Sequence, residues 1–457
     1  VRGLSIVAGG LLAGAGLIVL ELAAAGGASA AVPAKPRPMS LKPATTPWAV
    51  KRTYVPQGPL FNNPTGNTDQ AGSLDLYLKR LIRNTPKGAE IDVALFRLQT
   101  TGMANALVDA RKRGVNVRIV LDNDSLSKRP ENYALLKKNL GTDMSKASWI
   151  TVCPKNEGCI ARTSSSGQWA KNHNKFYVFS KTYDSKNVVV QTSGNATGGM
   201  YNQFNDAYTM TDTALHNAYR TYFYDLSRKK ADPNYWRTIK SGSRSVSFYP
   251  KSSQPDPIVA TLQMVTCTPG TKIGLSSGLF TRKGVADQLA WMDAQGCDVR
   301  IASGSLGEDV EQVLSRSRAK VRFFRASSSH PAHSKYLLID GTYGGRQRKL
   351  VLTGSHSYTY DALRRNDEAV LTLDDAKTYA AYAANFDKVF KSADGELAVG
   401  KLVQPQIVPN GTLDDDNPVP SVGIRSVTPP EERPVPEATL PPLTEQPDDG
   451  PTALPTR

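Results

Sequence analysis

One unit occurs twice in this chain, and the repetition limits what it can fold into. "HNKFYVFS" occupies residues 173–180 and "HSKYLLID" residues 333–340, each a His-x-Lys followed by an apolar run. A wider similarity frames both. In the first half "IDVALFRL" reads as a strand, Met103, Leu107 and Ala110 put an apolar face on a helix ending at Gly114, and "VNVRIVLD" reads as the next strand. The second half repeats the order with "KIGLSSGLF", then Val285, Leu289 and Met292 on a helix ending at Gly296, then "CDVRIA". The two Gly–strand junctions are 182 residues apart and the His-x-Lys units 160, so the first half holds an extra segment of about 22 residues around "CPKNEGCIARTSSSGQWAKN". Strand–helix–strand units repeated in this way predict an α/β fold. It comprises two βαβ-sandwich halves related by a pseudo-twofold axis, with the active site at their interface.

Residues i and i+2 of a strand face the same side, so His173 with Lys175, and His333 with Lys335, are expected to point into one space. Further on come "TSGN" (Thr192 to Asn195) and "GSHS" (Gly354 to Ser357), whose hydroxyl and amide groups can donate to phosphate oxygens beside the lysine charges. Third come "FNDA" (Phe204 to Ala207) and "RNDE" (Arg365 to Glu368), where a carboxylate could hold a histidine by its second ring nitrogen. Two of only five histidines head the same three-part pattern in matching order.

This succession resembles the phospholipase D superfamily, whose signature H-x-K-x₄-D, G-S-x-N, N-x-E occurs twice. The resemblance covers roughly residues 50 to 400. The second copy matches at His333, Lys335, Asp340, Gly354, Ser355, Asn366 and Glu368, and departs at Ser357, where the family has Asn. The first copy keeps His173, Lys175, Ser193, Asn195 and Asn205, and departs at Ser180 for Asp, Thr192 for Gly and Ala207 for Glu. The resemblance implies a reaction without metal or cofactor. His173 is the nucleophile on phosphorus, His333 is the general acid, and Lys175, Lys335 and Asn195 neutralise the phosphate oxygens. Ser193, Ser355 and Ser357 are the further phosphate-binding candidates. Asn205, Asp206, Asn366 and Glu368 are supporting groups, and Asp206 is the candidate to hold His173 where Ala207 lacks a carboxylate. Asp340 counts with the catalytic set.

The formal charge is +15, and the segment from Val403 onward carries three Arg against nine Asp and Glu, leaving about +21 on the rest. Such a body suits anionic partners: a phospholipid surface, another phosphodiester, or nucleic acid. Arg2, the Gly/Ala/Leu/Val run after it and "ASA" at Ala28 to Ala30 predict an export signal over 1–30, and no later stretch could span a bilayer. Export makes disulfides the default for the four cysteines. "CPKNEGC" closes naturally as Cys153–Cys159. Cys267 and Cys297 fall at the same edge of adjacent parallel strands, which favours their pairing over a zinc site, for which no C-x₂₋₄-C spacing exists.

The domain expectation is therefore a signal peptide at 1–30, a linker at 31–50, halves at 51–245 and 246–402, and a disordered, proline-rich acidic tail at 403–457. The functional expectation is a secreted, monomeric phospholipase D that hydrolyses glycerophospholipids, with possible transfer to another alcohol. A superfamily nuclease and a non-catalytic phosphate- or lipid-binding module are the alternatives.

Overall fold

The computed structural model describes residues 52–163, 167, 169–398 and 441–446. The expected signal segment, the linker and most of the tail lie outside the described residues. The first half builds a seven-stranded sheet. Glu90–Leu95 runs parallel to Asn116–Leu121, which runs parallel to Trp149–Val152. On the other side of Glu90–Leu95 the antiparallel strands Lys175–Thr182, Ser185–Thr192 and Asp206–Thr211 follow in turn. The second half repeats this order in a ten-stranded sheet, with Lys272–Phe280 parallel to Asp298–Leu306 and then Lys320–Phe323. Tyr336–Tyr343, Arg346–Gly354 and Ala369–Asp374 continue it antiparallel on the other side.

The helices expected between the parallel strands are Thr101–Lys112 and Lys283–Ala294. Each is followed by a glycine with positive φ, +89° at Gly114 and +94° at Gly296, a conformation that ends a helix at little steric cost. Alternation along the strands then sorts the core. Phe176 and Val178 face a cluster shared by both halves, together with Tyr336, Leu338, Val351 and Leu371. Tyr177 and Phe179 face a cluster made by the first half alone. The long helices Thr213–Arg228 and Ala376–Ser392 supply Tyr219, Tyr222, Tyr382 and Phe386 to the shared cluster. The halves are thus fused through an apolar centre rather than tethered.

Three features differ from the sequence expectation. The hairpin Arg237–Ser241 and Arg244–Phe248 pairs with Ala369–Asp374, so the chain enters the second sheet before residue 246. Inside the proline-rich tail, Thr444–Gln446 forms a strand against Arg52–Tyr54, and Arg80 donates to the Pro441 carbonyl at 2.8 Å, so this piece is not an unstructured spacer. His216, whose lack of motif context in the sequence predicts a surface position, is buried in Thr213–Arg228.

Both cysteine pairs are bonded as the spacing suggests, Cys153–Cys159 and Cys267–Cys297. The second ties together the starts of two adjacent strands across a separation of 30 residues, a loop worth about 3 to 4 kcal/mol in unfolded-chain entropy. The Cys267→Ser/Cys297→Ser variant is expected to lose about that much unfolding free energy in urea titration while keeping its far-ultraviolet dichroism.

Candidate active site

The two His-x-Lys units meet where the halves join, and each stands just before its strand rather than within it. Lys175 and Lys335 precede or open Lys175–Thr182 and Tyr336–Tyr343, and each turns its Nζ back onto the carbonyl of its own histidine, at 2.8 Å for His173 and 2.7 Å for His333. All four side chains are buried.

Each histidine is held by the opposite half. His173 lies with its Nδ1 2.9 Å from Oε1 of Glu368, and His333 with its Nδ1 2.7 Å from Oδ1 of Asn205. A carboxylate and an amide oxygen only accept, so Nδ1 carries a proton in both rings. The amide of Asn205 is oriented unambiguously, because its Nδ2 donates to the Gln203 carbonyl at 3.1 Å and the Gly199 carbonyl at 3.3 Å. Backbone contacts repeat the exchange: His173 N donates to Asp367 O at 3.0 Å, and His333 N to Phe204 O at 2.9 Å.

These contacts correct the sequence alignment by two residues. Asn205 does not correspond to Asn366, nor Ala207 to Glu368. Ser193 N donates to Asp206 O and Ser355 N to Ala369 O, while Thr192 pairs with Ala207 and Gly354 with Val370. Asn205 is therefore the counterpart of Glu368, and Ala207 the counterpart of Val370. The carboxylate thought missing at Ala207 was never due there, since Ala207 packs in the apolar core of the first half beside Leu60. Asp206 does not hold His173 either. It accepts from Thr353 Oγ1 at 2.6 Å and Tyr382 OH at 3.0 Å, pinning the first half to the second.

Asp340 and its counterpart Ser180 lie away from the histidines. Asp340 pairs with Lys349 at 2.5 Å, and Ser180 Oγ accepts from Glu90 N at 2.9 Å, each past the middle of its strand. Their position, five residues from the lysine, puts them on the opposite sheet face. The acid absent from the first copy is thus a fold-supporting group. Ser355 Oγ donates to Glu368 Oε2 at 2.5 Å and Ser193 Oγ to Asn205 Oδ1 at 3.3 Å, so both serines are engaged with the groups that hold the histidines. Asn366 also braces Glu368, through Nδ2 at 3.2 Å. Asn195 and Ser357 sit two residues beyond the serines, and the Ser357 hydroxyl is buried without a partner among the described residues.

The place of His356 within "GSHS" predicts that it lines the site, whereas sequence reasoning missed the roles of the two carboxylates behind this layer. His356 is buried against Tyr249, with ring centroids 4.5 Å apart. Burial, with Arg282 and His173 nearby, holds it well below the usual histidine range, so it is a neutral neighbour. Asp122 accepts from Asn172 N at 2.7 Å, and Asp367 accepts from three backbone N–H groups of residues 159–161. Burial pushes both carboxyls up to about 7. Asp367 also lies near the sulfurs of Cys153 and Cys159, but these are bonded to each other and offer no thiolate to a metal.

A family model described as the PLD-like domain of cardiolipin synthase matches residues 78–226 and 268–390, one span in each half. The chain belongs to the phospholipase D superfamily. No curated protein matches it in sequence. Among solved structures it is similar in fold to phosphatidylserine synthase of Haemophilus influenzae, at 12% identity and a TM-score of 0.54, over 76% of this chain and 89% of that one. Polyphosphate kinase of Porphyromonas gingivalis matches at 13% identity and a TM-score of 0.49, over 78% of this chain and 54% of that one. Yeast tyrosyl-DNA phosphodiesterase matches at 10% identity and a TM-score of 0.41, over 69% and 90%. The chain therefore spans about half the length of the polyphosphate kinase.

The raised carboxyl of Asp122 makes the fold bind a proton that the unfolded chain releases above its ordinary value of 3.8. Its contribution to stability is complete below that value and is lost as pH rises through about 7. Asp122→Asn removes this penalty. Its melting temperature relative to the parent is expected to rise between pH 5 and pH 8, and a difference independent of pH would contradict the shift.

Proposed function

We propose that this superfamily member cleaves the phosphodiester of glycerophospholipids through a phosphohistidine, outside the cytoplasm. The observation that carries the reading is the reciprocal hold on the histidines, in which the ring of each is set by a group from the other half. Nε2 of His173 attacks phosphorus and the bond to the head-group oxygen breaks, while His333, which enters the cycle protonated on both ring nitrogens, gives its Nε2 proton to the departing alcohol. Water then attacks phosphorus from the same side as the departed alcohol, His333 takes its proton, and the P–N bond breaks to release phosphatidic acid. A second alcohol in place of water yields a new phosphodiester.

The unequal partners support this division of labour. The carboxylate of Glu368 can compensate the positive charge that the His173 ring takes on when it bonds to phosphorus. Asn205 is neutral, so it fixes the tautomer of His333 without anchoring its charge, which suits a group that must release a proton in one step and regain it in the next. Lys175, Lys335 and Asn195 are the groups suited to the non-bridging oxygens. The lipid reading rests on the match to the PLD-like domain of cardiolipin synthase and on a body charge of about +21, which favours an anionic membrane surface. Two disulfides support action in an oxidising compartment.

Product analysis of the purified chain in EDTA, on mixed phospholipid vesicles and on plasmid DNA, tests the reading. Phosphatidic acid and free head-group alcohol are expected, with DNA intact. Nicked DNA and unchanged lipid would replace lipid by nucleic acid as substrate. His173→Ala and His333→Ala should each abolish turnover, and their combination should lose no more than either alone, because both act in one cycle.

Asn205→Asp tests the division of labour. A carboxylate against His333 favours its protonated form, so the alkaline limb of the pH–rate profile is expected to move up by about one unit. An unmoved limb in a folded variant would show that His333 is not the acid.

A further inference from the structure

The extra segment of the first half has a counterpart nowhere in the second, and it reaches across the junction to one carboxylate. Cys153 N donates to Leu121 O at 2.9 Å, rooting the segment on the end of a central strand, and the Cys153–Cys159 bond closes it into a small loop. Just past that bond, Cys159 N and Ala161 N donate to the carboxylate of Asp367 at 2.6 and 2.7 Å, and Ile160 N adds a longer contact at 3.2 Å. The carbonyl ends of two of these peptides, Gly158 and Cys159, are gathered by Arg162, whose Nη1 also donates to the carbonyl of Ala161. A guanidinium on the carbonyl side and a carboxylate on the N–H side polarise the turn in one sense. The approach is close enough that a Cβ at Gly158 would fall 2.8 Å from Asp367 Oδ2.

Asp367 is fully buried and sits between two contacts to His173. Its own carbonyl accepts from His173 N, and the next residue, Glu368, holds the ring. Asn366 and Asp367 also pair in parallel with Lys171 and Asn172, the residues leading into His173. On the other side of the pseudo-twofold axis the equivalent position is Phe204, which has no carboxylate to clamp. The clamp therefore serves one histidine of the two.

We propose that Asp367 is a positioning residue for His173, and that the disulfide-closed loop ending at Ala161 is the clamp that sets it. The proposal deepens the reading of this site as a phosphohistidine centre and rests on it for its effect on rate. Losing the carboxylate puts an amide N–H₂ against a row of N–H donors, so the loop is released and Glu368 is no longer held square to the ring. Opening the disulfide does the same from the other side, by letting residues 159–161 turn away.

The experiment uses the full chain with ¹⁵N-labelled histidine, and reads the Nδ1–H signals of His173 and His333 and their exchange with water. Asp367→Asn and Cys153→Ala/Cys159→Ala are compared with the parent and with Cys267→Ser/Cys297→Ser. In both clamp variants the Nδ1–H of His173 is expected to exchange at least tenfold faster while that of His333 is unchanged. The kcat on phospholipid vesicles should fall ten- to a hundredfold with KM little altered. If Asp367→Asn does not fold, the cysteine variant decides by the same signals. Unchanged exchange at His173, equal loosening of both histidines, or the same effect from the Cys267–Cys297 variant would each overturn the proposal. A parent that turns over no phosphodiester, with clamp variants that still loosen selectively at His173, would overturn the proposed activity and leave the clamp standing.

Discussion

An imidazole has two nitrogens, and holding one decides what the other can do. In this protein the holding group always comes from across the molecule, Glu368 for His173 and Asn205 for His333. Neither half can therefore set its own histidine. The rest of the fold serves that exchange: the sheets must meet at their motif-bearing ends, and the two backbone bonds from His173 and His333 must close in opposite directions. A shift of one residue along either strand would turn the holding side chains to the wrong face.

Burying so many polar groups is costly unless each is partnered, and here the partners also join the halves. Asp206 leaves the first sheet to accept from Thr353 and Tyr382 of the second. Asp367 leaves the second to accept from the loop of the first. Around them the shared apolar cluster, with the aromatic side chains of the two long helices, excludes the water that would otherwise compete for these bonds. The junction is thus apolar at its body and fully directional at its site, a combination that resists sliding of one half on the other.

The repeats are alike in topology and unlike in chemistry. One histidine faces a carboxylate and the other an amide. One is braced through a clamped aspartate, the other through a backbone position occupied by Phe204. The nucleophile of a covalent mechanism gains positive charge and must be returned unchanged, whereas the acid must pass a proton both ways. Differences between the halves at these positions are what such a division requires, and they need not mark decay of the first copy.

Much of the architecture was legible in the residues themselves. The alternation in "FYVF" and "YLLI", the helix faces ending at Gly114 and Gly296, and the cysteine spacings are local patterns, and local sterics and periodicity dictate their outcome. The repeat of His-x-Lys likewise marked the two histidines, each of which is held by the opposite half. What the letters could not decide was which distant group meets which. "FNDA" and "RNDE" align by eye on their shared Asn-Asp, yet strand pairing sets Asn205 against the place of Glu368, two residues off. Asp340 looked catalytic from its motif and lies past the middle of its strand, paired with Lys349. His216 looked like a surface residue and is buried, while nothing in the sequence pointed to Asp122 or told which groups Asp367 would meet. These outcomes depend on register and on contacts between residues more than a hundred positions apart. Such contacts exist only after the sheets have paired and packed, so only the tertiary structure could determine them.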